Sequence, residues 1–206
     1  MPFPTTNATQ ELPAINQILS SCGQAPVTTL DQTNPDVAIA YDTLLQVSRE
    51  VQAEGWTFNK EYHYEFTPDT NDEILIPSNI LQIKLTENSA NMDKDGVRRS
   101  GKLYDRHNHK YTWTDETVEC DIVWEFDWVD LPQPIQDFIV ARAATFVSQR
   151  TVGDPNQYQM LQQQEAYTRS LALEYETQQG QFTFFGHPQG HTNYYQSYQP
   201  FHALSR

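Results

Sequence analysis

Four carboxylates, Glu119, Asp121, Glu125 and Asp127, alternate with Cys120, Ile122, Trp124, Phe126 and Trp128 along one short stretch. Two carboxylates held at a set separation beside a sugar can hydrolyse a glycosidic bond. Trp113, Trp124 and Trp128 could line the platform for such a substrate. Side chains two apart on one strand face, however, sit ~7 Å apart through the strand repeat alone, so any acidic strand offers this spacing. The second candidate is His107-x-His109, two imidazoles on one side of a strand and half of a metal site. It sits in a polar turn between Arg106 and Lys110, and no third ligand is marked. A solvated hairpin tip explains it more simply. His187 and His191 lie in a Gly- and Pro-containing stretch and make no better ligands. No GxxxxGK[ST], GxGxxG or GxSxG occurs. Nothing here demands an enzyme, a metal or a cofactor. A glycan hydrolase using the acidic strand stands as the alternative to a structural role.

The acidic residues need a strand to position them. From Val118 to Val129 apolar and acidic residues alternate, broken at Val123, as in a sheet with one buried and one wet face. The row of carboxylates would discourage stray pairing. Upstream, Tyr62, Tyr64 and Phe66 alternate with His63 and Glu65, and Ile74–Ile76 and Ile80–Leu85 form further short apolar runs. Asp95-Gly96 and Ser100-Gly101 signal turns, and Leu103–Arg106 with Tyr111–Trp113 read as a hairpin around His107–His109.

Helices flank this β-rich region. Asn34-Pro35 supplies a capping side chain and a proline suited to a first helical turn. Val37, Tyr41, Leu44, Leu45, Ser48 and Val51 then recur at helical spacing, and Gly55 supplies the stop. Trp56 and Phe58 follow with period two, so the expected switch from helix to strand falls at Gly55, Trp56 and Phe58. An earlier helix is expected from a Thr9 cap, with Pro13 near its start and Leu12, Ile15, Ile18, Leu19 and Cys22 inward. A third opens at Asp130–Pro134, with Ile135, Phe138, Ile139, Ala143, Phe146 and Val147 as its stripe. Asp154-Pro155 starts a fourth that runs to about Gln178, with Tyr158, Leu161, Thr168, Leu171, Ala172 and Tyr175 inward. Its other faces are expected to be solvated or shared with another subunit.

Composition narrows the function. The net charge is −14, from 27 acidic and 13 basic residues. That argues against a protein that grips DNA, which needs basic patches that displace counterions. Cys22 and Cys120 are the only cysteines and form no CxxC, so neither a disulfide framework nor a zinc site is expected. No apolar run approaches a membrane span and Met1–Gln10 shows no signal pattern, so a reducing aqueous compartment is expected.

The last stretch differs. Between residues 181 and 206, Phe182, Phe184, Phe185, Tyr194, Tyr195, Tyr198 and Phe201 sit among Gln, Gly, Pro, Ser and His, with no acidic residue and Arg206 the one formal side-chain charge. Aromatic residues are enriched where proteins meet. The stretch reads as an arm that orders on a partner.

The run Glu11-Leu12-Pro13-Ala14-Ile15 through Cys22-Gly23-Gln24-Ala25-Pro26-Val27-Thr28-Thr29-Leu30 resembles the opening of the tail tubular protein A family, the head-to-tail adaptors of short-tailed podoviruses. The likeness continues through Gly55-Trp56-Thr57-Phe58-Asn59, Leu103-Tyr104-Asp105-Arg106, the helix from Pro134, and Glu165, Leu171, Glu174 and Tyr175. It covers roughly residues 10–178 and is weak between Asn59 and Leu103 and after Gly180. The resemblance implies a homo-oligomeric ring, in this family of twelve subunits, that joins the portal protein to the tail nozzle (tail tubular protein B) and the tail fibres. It implies that viral DNA passes through the hole without specific binding, and that the protein resides in the virion after assembly in the host cytoplasm.

The resulting expectation is an α+β chain. A four-helix body of two antiparallel helix pairs (1–55 and 131–179) carries a β-rich insert (56–130) and a docking arm (180–206). The arm is expected to bind the portal. Tyr104, Asp105, Arg106, His107 and His109 of the insert are expected to face the nozzle or fibres. A monomeric binding module is the other rival reading.

Overall fold

The computed structural model describes residues 8–31, 33–86, 91 and 93–180. Four helices and two small antiparallel sheets follow in order: α1 (Ala8–Ser21), α2 (Pro35–Gln52), β1 (Lys60–Phe66), β2 (Ile80–Leu85), β3 (Gly96–Arg99), β4 (Lys102–Asp105), β5 (Val118–Trp124), α3 (Gln133–Thr151) and α4 (Pro155–Gly180). The fold is α+β.

Local chemistry explains the helix ends. The Asn34 side-chain oxygen accepts the Asp36 N–H at 3.0 Å, so α2 starts at Pro35 as expected. α1 begins one residue before Thr9, which therefore lies inside the helix rather than capping it, and Pro13 also lies inside. At the end of α1, Gly23 adopts φ +74° and the Gln24 N–H returns to the Leu19 carbonyl at 3.0 Å. Asn16 then pins the connection to α2, donating to the Val27 carbonyl at 2.9 Å and accepting its N–H at 2.8 Å.

α3 is the central helix. Ile135, Phe138, Ile139, Val140, Ala143, Ala144 and Val147 are all buried, which covers most of its circumference, and it packs against α1, α2 and α4. Phe146, expected inward, is half-buried beneath the Arg142 and Arg150 guanidinium groups. Of the expected α2 stripe, Leu45 turns outward at 45% exposure, while Val47 takes an inward place.

The main sheet has the order β1-β5-β2, with β5 antiparallel to both neighbours, and β3 pairs with β4 as a hairpin. Two hydrophobic clusters result. One joins the helices with Trp56, Trp128 and Leu131. The other gathers Phe66, Ile74, Ile76, Ile80, Leu85, Leu103, Trp113, Val118, Cys120 and Ile122.

Several expectations are corrected. Trp56 and Phe58 are not in a strand: residues 57–59 form a turn, β1 starts at Lys60, and both rings pack with the helical cluster. The alternation of β1 is broken by an irregularity between Glu61 and Tyr64, where His63 adopts φ +55°. β5 stops at Trp124. Trp128 belongs to a short 3-10 turn (Trp128–Asp130) and packs with the helices, so Glu125 and Asp127 do not extend the acidic face of the strand. The turn around His107–His109 is closed by Asp105 and Lys110, whose backbones bond both ways, but residues 111–113 do not continue that pairing along 103–104, and Thr112 instead bridges Glu73. β4 takes β3 as its partner through the Ser100-Gly101 turn, and Trp113 instead caps the Leu103 carbonyl with its indole N–H at 3.0 Å.

Candidate functional site

The chemical candidates dissolve into structural bonds. His63 places Nδ1 2.9 Å from a Glu119 oxygen. Asp121 accepts the His63 N–H at 3.2 Å and the Thr86 hydroxyl at 2.9 Å. Glu125 pairs with Arg49 at 3.3 Å, and Asp127 is exposed beyond the strand. Trp113 and Trp128 are buried and Trp124 donates to Glu61 at 2.9 Å, so the three indoles form no common platform. Cys120 is fully buried, and burial together with the Asp121 carboxylate pushes its thiol up to about 12. Among the described residues no group of three or more His, Cys, Asp and Glu could hold a metal.

The tip that carries Tyr104, Asp105, Arg106, His107 and His109 is built around one buried carboxylate. Asp105 is 1% exposed and accepts the backbone N–H groups of His107 (2.9 Å), Asn108 (3.2 Å) and Asp95 (3.2 Å), and the Asn108 amide at 2.7 Å. Burial alone would raise its pKa. The hydrogen bonds from Asn108, Asp95 and His107 outweigh burial and hold it below the usual carboxylate range. Arg106 grips Asp95 through Nε at 2.7 Å, and Tyr104 is buried beneath the Arg99 guanidinium. Arg106, His107 and His109 are therefore the exposed members of the group.

The junction between helices and sheet is a densely bonded seam. Gln52, 1% exposed at the end of α2, donates to the Phe126 carbonyl at 3.2 Å and accepts the Phe126 N–H at 2.7 Å. Asn59, fully buried, donates to the Gln52 and Trp124 carbonyls at 2.9 and 2.8 Å and accepts the Trp56 N–H at 2.8 Å. The Trp56 indole donates to the Val51 carbonyl at 2.7 Å. Gly55 adopts φ +78°, and a Cβ there would meet Val123 at 3.3 Å. Phe58 lies against Phe126, with ring centroids 6.3 Å apart. Gln52 and Asn59 bear most of these bonds, and sequence reasoning passed over both. The available signal was an amide next to Val51 on the inward side of an amphipathic helix, where an apolar residue is the norm.

α4 touches this seam at its far end. The Glu176 carboxylate accepts the Thr57 N–H at 2.9 Å and the Thr57 hydroxyl at 2.6 Å. At its start, the Gln157 amide donates to the Ser21 carbonyl. Between these anchors the inward stripe matches expectation at Tyr158, Leu161, Thr168, Ala172 and Tyr175, whereas Leu171 is 39% exposed. Leu171, Thr168 and Tyr175 also line a groove of about 260 Å³ against Pro134 and Asp137 at the start of α3. Met160 and Tyr167 are 71% and 64% exposed. The expected arm residues Phe182, Phe184, Phe185, Tyr194, Tyr195, Tyr198 and Phe201 lie outside the described residues. No helix among the described residues is long and apolar enough to cross a membrane.

Comparison with known proteins bears on this geometry. A sequence model described as "Tail tubular protein" matches residues 12–182. The tail tubular protein A of Klebsiella phage KP34 is 27% identical over 164 residues, covering 80% of this chain and 85% of that protein.

Proposed function

Since the chain belongs to the tail tubular protein family and is a structural component of a phage tail rather than an enzyme, we propose that it is the connector ring between head and tail. In this reading about twelve copies, the number carried by the family resemblance, close head-to-tail into a ring. One side meets the portal protein and the other meets the nozzle protein and the fibres. The genome leaves through the hole. The four helices form the ring body as two antiparallel pairs, the β-rich part faces the nozzle or fibres through Arg106, His107 and His109, and the arm reaches the portal. Tyr194, Tyr195, Tyr198 and Phe201 carry that grip, with Phe182, Phe184 and Phe185 at the root of the arm.

The observation that carries the reading is α4, a 26-residue helix of which only Ala172 and Gly180 are buried. A helix so uncovered in one copy suits a molecule completed by its neighbours. The net charge of −14 agrees with a conduit that must release its cargo, since an acidic wall limits sticking and counterion screening confines the repulsion to ~8 Å.

Electron microscopy of the purified protein with and without portal tests the proposal. Closed rings with an acidic bore are expected. Single copies in the presence of portal, or a basic bore, would refute it. Deletion of residues 181–206 is expected to abolish portal binding.

A further inference from the structure

We propose that the groove between α3 and α4 seats the root of this chain's own C-terminal arm, Phe182, Phe184 and Phe185. Pro134, Leu171 and Tyr175 give the groove apolar walls, and Asp137 and Glu174 bring two carboxylates to it. Leu171 is 39% exposed, and both carboxylate residues are exposed as well. The volume of about 260 Å³ falls just under the ~300 Å³ at which pockets for small molecules begin, a size that suits one or two side chains.

The course of the chain selects the occupant. Gly180 ends both α4 and the described residues, just beyond Gln178, which also lines the groove. Leu171 lies about 14 Å back from Gly180 at ~1.5 Å per residue of helix. Phe182 and Phe185 stand past Gly180 by roughly 7 and 17 Å of extended chain at ~3.3 Å per residue. The root can therefore fold back over the groove without another copy. Charge agrees. The last acidic residue is Glu176, and no Asp, Glu, Lys or Arg stands between it and Arg206. A segment without carboxylates can lie against Asp137 and Glu174, where most surfaces of a chain with net charge −14 would be repelled. Gly186, Pro188 and Gly190 then divide the arm's aromatic residues into two groups. Phe182, Phe184 and Phe185 come before the break, and Tyr194, Tyr195, Tyr198 and Phe201 come after it. Two groups suit two seats. The first covers Leu171 on this chain, driven by burial of the rings. The second is left for the portal in the reading above, and a seated root cuts the freedom the rest of the arm must lose on binding.

The groove contact rests on the portal reading only for the role of the second group, and the two are tested apart. A diazirine-bearing phenylalanine replaces Phe184 in the full chain, which is irradiated at high dilution and again with portal. The expected product in both samples keeps the mass of one chain and carries its new bond on a peptide from residues 134–137 or 168–178. Leu171→Gln, which takes an apolar wall from the groove, is expected to cut that product at least fivefold at an unchanged melting temperature. Where Leu171→Gln melts early, Thr168→Arg, which fills the groove, replaces it. Attachment elsewhere on the chain, a product of twice the chain mass, a bond to portal, or a wild-type yield in the groove variant would overturn the inference. Portal binding that survives deletion of residues 181–206 would overturn the portal reading and leave the groove contact standing.

Discussion

The Gln52 side chain and the Phe126 backbone form a two-way pair, the amide donating to the carbonyl at 3.2 Å and accepting the N–H at 2.7 Å. This pair joins the last residue of α2 to the segment that returns from the sheet, residues that lie 74 apart in sequence. A glutamine buried at 1% exposure with both of its ends satisfied is therefore the clasp that holds the segment leaving the sheet against the end of α2.

Breaking the clasp leaves a buried N–H and carbonyl without partners, which costs more than the bonds themselves contribute. Gln52→Ala is expected to destabilise the fold by about 2–4 kcal/mol. Denaturant unfolding would measure it. Because the lost bonds span the seam, probes in the helices and in the sheet should cease to unfold together.

Glu176 anchors the far end of α4 on Thr57 through both a backbone and a hydroxyl donor. Glu176→Ala is expected to cost about 1–2 kcal/mol. Hydrogen exchange should speed up in the last turns of α4 and at Thr57 while the protection of α3 is unchanged. Unchanged exchange at Thr57 would contradict the anchoring role.

Asp105 makes stability depend on pH. Its folded pKa is depressed, so the unfolded chain, with an ordinary value near ~3.9, takes up the proton first as pH falls. The stabilisation it supplies is fully present above that ordinary value and is lost as pH falls through the depressed one. Asp105→Asn, which keeps the shape but removes the charge, should melt lower than wild type at pH 7. The gap should narrow steadily as pH falls below about 4.

Two glycines separate close packing from backbone freedom. A Cβ on Gly96 would lie 2.8 Å from Leu85 Cγ and 3.2 Å from Leu103 Cδ1, both buried leucines, so Gly96→Ala is expected to cost about 1–3 kcal/mol. Gly101 adopts φ +74° in open space. Gly101→Asn, which tolerates that conformation, should change stability by no more than about 0.5 kcal/mol. Thermal melts of the two variants would compare them directly.

The sequence was legible where one local rule decides the outcome. Asn34-Pro35 starts α2 because the cap and the fixed proline φ act within a few residues. The alternation from Val118 to Trp124 places β5 because both strand neighbours read the same period. It misleads beyond Trp124, since Phe126 and Trp128 keep the period while the backbone leaves the sheet and delivers their rings to the helices. Tyr111 and Trp113 mislead in the same way. The strand that pairs with β4 lies upstream across Ser100-Gly101, and Trp113 is held by its indole N–H on the Leu103 carbonyl and its backbone N–H on the Asp72 carbonyl rather than by pairing with β4. Asn59 and Glu176 were invisible because no periodicity marks a buried turn amide or a helix-end carboxylate, and for Gln52 the inward place beside Val51 marks a buried amide without naming its distant partner.

The order β1-β5-β2 has a consequence for synthesis. The first two strands to emerge are never each other's neighbours, and both must wait for the last. About fifty residues separate Phe66 from Val118, so β1 stays without its partner for roughly three to ten seconds at ~5–20 residues per second. The sheet closes only when its middle arrives, and a ribosome stalled before Val118 would hold out two orphan strands to whatever else is being made beside it.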